Sequence, residues 1–221
     1  AGSNALDLHP FAEWPLPGRL QGVALADDTH LLISSVDNGL FVVSIEDARH
    51  PRKIANLPPP ESSHAKYFAH DVLVHGEYAF VSHGQAGVHV VDLRVIEEPR
   101  LVKIIDTPGH AKMLAQYDGV LLVADSIEGV FMIDIKEPAD CVAIGSLPTP
   151  LRVEQLLVVG DSLAVSSHPG GAMLLPLPQR LGGLQVFNQE TASARLPDEF
   201  RKAGKLAYLY DSEGSVMTRV E

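Results

Sequence analysis

The chain has 221 residues, 46% of them apolar and 20% charged, a composition that supports a packed core and argues against disorder. Its net charge of −11 disfavours nonspecific binding to nucleic acid and to anionic membranes, because both need a basic surface. There is no run of about 18 apolar residues, so no membrane span is expected, and the lone Cys141 excludes an internal disulfide framework.

The chain opens on Ala1-Gly2-Ser3, without a basic or apolar leader, as expected of a mature form after signal cleavage or of a cloning scar. The segment Phe11-Ala12-Glu13-Trp14-Pro15-Leu16-Pro17-Gly18 then reads as a strand with no unit before it. It matches Lys53-Ile54-Ala55-Asn56-Leu57-Pro58 and Val142-Ala143-Ile144-Gly145-Ser146-Leu147-Pro148, which close later units.

From Gly22 onward the chain repeats. A small or acidic turn, a glycine and an apolar run recur at 36–43, 84–91, 126–133, 168–175 and 211–217. The anchor glycines Gly39, Gly87, Gly129, Gly171 and Gly214 are 48, 42, 42 and 43 residues apart. A fixed period in this range signals one supersecondary unit copied around or along an axis.

Each unit reads as four strands. In the second they are His70–Val74, Tyr78–Ser82, Val88–Leu93 and Leu101–Asp106, the last ended by Pro108-Gly109. The third repeats them at Lys112–Ala115, Val120–Ala124, Val130–Ile135 and Cys141–Leu147, with a turn at Tyr117-Asp118-Gly119. The runs are short, β-branched and bounded by Gly, Pro and Asp, which is the pattern of antiparallel meanders. The fourth unit departs at Pro176 and Pro178, and the fifth stops before its fourth strand.

These features predict an all-β, five-bladed β-propeller, its last blade closed by the N-terminal strand, which would remove a free edge. The whole chain 1–221 is expected to be one domain. Its units span about 20–66, 67–109, 110–150, 151–194, and 195–221 plus 9–18. An open array, or part of a ring completed by another chain, is the alternative.

The run Tyr78-Ala79-Phe80-Val81-Ser82…Gly87-Val88-His89-Val90-Val91-Asp92-Leu93…Glu98-Pro99-Arg100-Leu101-Val102 resembles the LVIVD repeat of bacterial and archaeal proteins. So does Leu121-Leu122-Val123-Ala124-Asp125…Gly129-Val130-Phe131-Met132-Ile133-Asp134-Ile135…Glu137-Pro138. The resemblance covers residues from about 20 to 150 and implies a β-propeller in secreted or cell-surface proteins, with no uniform activity. The WD40 signature is absent, Trp14 being the only tryptophan.

Aligning the units on their anchor glycines places Gly22, His70, Lys112, Glu154 and Pro197 at one position, where the first strand enters the central tunnel. Two residues earlier stand Leu20, Phe68, His110, Arg152 and Arg195. Phe68, His70, His110, Lys112, Arg152, Glu154 and Arg195 are therefore expected at one mouth, ringed by His83, Asp125, His168 and Asp211. That mouth is more basic than the acidic whole and suits an anionic ligand or an acidic partner segment.

Blander roles apply to the same residues. Asp125 and Asp211 beside tight turns can bond the turn backbone, and Glu154 beside Lys112 and Arg152 can form a structural ion-pair network. Ten histidines raise the option of a divalent metal held by His64, His70, His83 and His110, although no metal-binding spacing is present. No GxSxG occurs, Cys141 has no basic neighbour in sequence, and alternation turns Asp71 away from Glu154, so no catalytic residue is assigned.

An inserted segment, Pro58–Lys66, lengthens the first period and offers a contact loop or a tolerated surface insertion. The reading that follows is a non-catalytic periplasmic or secreted module that holds a protein partner at the mouth face. The alternatives are a metal- or small-anion-binding propeller, with or without hydrolytic activity, and an accessory subunit of a cell-surface assembly.

Overall fold

A computed structural model describes residues 12–60, 68–147, 149, 152–167, 171–177, 207–210 and 216–220. The chain is all-β over these residues, apart from one 3-10 turn at Pro138–Asp140. The first sheet contains β1 (Leu20–Asp27), β2 (His30–Ser35), β3 (Gly39–Ser44) and β4 (Arg52–Leu57) in that order. The second contains β5 (Asp71–His75), β6 (Tyr78–Ser82), β7 (Val88–Asp92) and β8 (Arg100–Ile105). The third contains β9 (Leu114–Tyr117), β10 (Val120–Ala124), β11 (Val130–Asp134) and β12 (Val142–Leu147). A three-stranded fourth follows with β13 (Val153–Val159), β14 (Ser162–Ser167) and β15 (Ala172–Pro176). Last comes a hairpin of β16 (Ala207–Tyr210) and β17 (Val216–Val220).

All pairings within the sheets are antiparallel. The first strands of successive sheets lie beside one another, β1 by β5, β5 by β9 and β9 by β13, so they form the centre and the sheets radiate outward. This is the β-propeller arrangement. The described residues supply four blades rather than five, because the last hairpin is a sheet of two strands.

The N-terminal strand expected to complete the last blade is not formed at 12–18. Pro15 and Pro17 lack the N–H donors that a ladder needs on alternate residues. Trp14 and Leu16 instead pack against Ile33, Phe41 and Val43, on the face of the first blade turned away from the second. Residues 9–11, positions 61–66 of the inserted segment, and the expected fourth strand of the fourth unit lie outside the described residues.

The core sits between blades. Alternation along β10 sends Val120, Leu122 and Ala124 to a cluster shared with the fourth blade, and Leu121 and Val123 to one shared with the second. A third cluster joins Leu32, Leu40 and Val42 of the first blade to Ala69, Val72, Ala79, Val81 and Val91 of the second. Both faces of a middle blade are thus packed, which explains the near-continuous burial along β6, β7, β10 and β11.

The anchor glycines are needed where they stand. Gly87 has φ +73°, and a Cβ there would lie 2.1 Å from the Ile105 carbonyl oxygen of β8. Gly39 repeats this against Leu57 with φ +83° and 2.3 Å. The turn between β9 and β10 uses Asp118 and Gly119, at φ 46° and 74°. Two positive φ values define a tight hairpin turn, so Tyr117 stays in the strand instead of joining the turn as the sequence suggests.

Candidate functional site

The start of each inner strand is a repeated backbone construction, bonded first within its own blade and then to the blade before it. The His70 N–H donates to the Ser82 carbonyl at 2.9 Å, and the Lys112 N–H donates to the Ala124 carbonyl at 2.9 Å. Just outside, Gly84 and Ala111 exchange two bonds of 3.0 Å, and the Val153 N–H donates to the Ser126 carbonyl at 2.9 Å. Each turn after a second strand therefore grips the chain entering the next blade. That grip places Lys112 and Glu154 at matching positions, as the anchor-glycine alignment predicts, and His70 takes the corresponding one with its carbonyl 3.3 Å from the Ser34 hydroxyl.

Five of the expected residues fall into two touching groups. The Nε2 atoms of His70 and His110 are 3.3 Å apart, and their rings are tilted by 58°. Lys112 and Glu154 form an ion pair through Nζ and Oε2, with a quarter of each side chain exposed. Arg152 Nε lies 3.5 Å from Glu154 Oε1 and donates to Ser126 Oγ at 2.7 Å. Half-buried Phe68 stands behind, its ring 6.3 Å from that of His70. Arg195 lies outside the described residues.

The imidazoles are held neutral. Burial, reinforced by nearby His110 and Lys112, lowers His70 to about 4, against the opposing pull of Glu154. Burial, with Lys112 and Arg152, lowers His110. A neutral imidazole carries one N–H. One Nε2 therefore donates to the other, and the acceptor ring keeps its proton on Nδ1.

The remaining expectations resolve differently. His83 is buried in the turn after β6 and stacks on His89 of β7, with ring centroids 3.9 Å apart. Burial lowers His83 to about 2 and His89 to about 4. Asp125 takes a backbone-binding role: it accepts from Gly109 N–H and Thr107 Oγ1, each at 2.8 Å. Burial raises its carboxyl to about 6. Asp71 faces the third blade, where it accepts the Leu114 N–H at 2.9 Å. Cys141 is buried in the cluster between the second and third blades.

Of His64, His70, His83 and His110, His64 lies outside the described residues, His70 and His110 touch, and His83 stacks on His89. Among the described residues, no group of three or more His, Cys, Asp or Glu is placed to hold a metal ion.

Sequence reasoning missed Ser126. It is buried, with φ +61°, a conformation costly for a residue with a Cβ. Its counterpart in the second blade is Gly84, at φ +59°. A side chain at Gly84 would strike the His110 ring at 2.8 Å. At Ser126 the hydroxyl instead anchors Arg152. The serine replacing a glycine in aligned turns is the signal that could have found it.

The LVIVD repeat model matches residues 68–107, which span the second blade. No curated protein matches the chain. Two computationally designed proteins have a similar fold. The chain resembles the crystal structure of Ika4 with a TM-score of 0.56 at 8% identity, over 76% of this chain and 98% of that one. It resembles Ika8 with a TM-score of 0.55 at 9% identity, over 90% of this chain and 61% of that one. At such identities the likeness concerns fold alone. No helix among the described residues is long and apolar enough to cross a membrane.

Proposed function

We propose that this propeller is a non-catalytic binding module that holds a protein partner at the mouth formed where the inner strands begin. The observation that supports it most is that residues from the starts of three inner strands meet there. They form a neutral imidazole pair beside a Lys112–Glu154–Arg152 cluster. The cluster carries one net positive charge on a chain of net charge −11, which favours an acidic partner group over a basic one. The LVIVD repeat supports a place in the periplasm or at the cell surface.

The test is capture by the immobilised protein from an extract of its source, compared between the unaltered chain, His70→Ala and Lys112→Glu. A partner retained by the unaltered chain and lost by both variants, at unchanged melting temperature, supports the mouth. Equal capture by all three moves the contact to another face.

A further inference from the structure

Resting on the mouth reading above, we infer that the mouth receives a carboxylate of a peptide segment, and that Glu154 occupies the receiving position as a built-in, displaceable competitor. Three observations lead there. Two cations from successive blade entries, Lys112 and Arg152, converge on one carboxylate, which belongs to the chain itself. Arg152 is held independently of Glu154, because Ser126 Oγ accepts its Nε–H at 2.7 Å. Ser126 also adopts a left-handed backbone that its glycine counterpart in the second blade adopts without cost. That backbone carries the hydroxyl that holds the half-exposed Arg152 guanidinium beside Glu154.

The Glu154 contact is loose on one side, at 3.5 Å from Arg152 Nε, and a quarter of the Glu154 side chain is open to solvent. The Lys112–Glu154 pair is largely buried, so displacing Glu154 carries a cost that a segment presenting several carboxylates can meet. The site therefore selects for negative charge while Glu154 sets a threshold that a single weak carboxylate does not pass.

The test is calorimetric titration of hexaglutamate, hexaglutamine and glutarate into the unaltered chain, Glu154→Gln, Ser126→Gly and Lys112→Met, with melting temperatures as the folding control. Gln keeps the shape and removes the competing charge, so Glu154→Gln should bind hexaglutamate about fivefold more tightly, the scale of one partly exposed charge contact. Ser126→Gly relieves the backbone strain and should melt no lower, yet it should bind hexaglutamate more weakly because Arg152 is released. Lys112→Met should bind weakest, and hexaglutamine should bind to none.

Equal hexaglutamate affinity in Glu154→Gln and the unaltered chain, with both folded, overturns the competitor role. Glutarate binding as tightly as hexaglutamate overturns the peptide and assigns a small dicarboxylate. The mouth reading is judged separately, by partner capture in His70→Ala and Lys112→Glu. It survives failure of the Glu154 result and falls only if capture persists.

Discussion

The Ser82 hydroxyl donates to the backbone carbonyl of Lys112, one blade away, while it accepts the Asp71 N–H of its own blade at 3.0 Å. Ser34 repeats the device: it accepts the Gly22 N–H at 2.8 Å, and its hydroxyl lies 3.3 Å from the His70 carbonyl. One buried hydroxyl thus ties two inner strands together at each of the first two joints. The third joint has Ala124 at that position and relies on the backbone bond from Val153 to Ser126.

Ser82→Ala should therefore destabilise by about 1–3 kcal/mol, because it leaves a buried backbone donor and acceptor without partners. Chemical denaturation checks this. Ala124→Ser offers a comparison, since the third joint already does without the hydroxyl and should gain little.

Acid should weaken the fold from near neutrality. His70, His83 and His89 are lowered from 6.5 to about 4, about 2 and about 4. Their neutral forms are favoured by folding, so the stability they contribute is complete above pH 6.5 and is lost as the pH falls below it. Asp125, raised from 3.8 to about 6, acts oppositely and gains relative stability as the pH falls through 6. His110 is also lowered and Asp71 also raised by burial, so four histidines oppose two carboxyls, and the melting temperature should drop between pH 7 and pH 4.5. His89→Gln should flatten that slope, and an unchanged slope would remove the stacked pair as its source.

Two glycines with similar φ should respond differently to replacement. Gly87→Ala meets the Ile105 carbonyl, a backbone atom that cannot swing aside, and should cost more than about 2 kcal/mol. Gly76 has φ +59°, and a Cβ added there would meet nothing within 4 Å, so Gly76→Asn should cost well under about 1 kcal/mol. Thermal melts of the two variants separate steric contact from backbone preference.

The blades are legible in the sequence because their cues are local. Tyr78–Ser82 and Val120–Ala124 are β-branched or apolar runs between glycine turns, and they form β6 and β10 with the bounds read from sequence. The convergence of His70, His110, Lys112, Arg152 and Glu154 follows from the repeat alone, since matching positions in a repeat share an environment. The N-terminal segment misleads because its similarity to Lys53–Pro58 leaves out Pro15, which stands where Asn56 does and whose effect is on hydrogen bonding rather than on hydrophobic pattern. The stacking of His83 on His89 is hidden because it depends on a turn folding back over its own third strand. Ser126 is hidden because its strain exists only in φ.

Every apolar cluster between blades takes one wall from each of two neighbours, so the segment that recurs in the sequence is half a period out of step with the segment that holds together. A single copy cut out at its sequence boundaries would have two greasy sides and no interior. An ancestor of one unit would have had to fold by pairing with copies of itself.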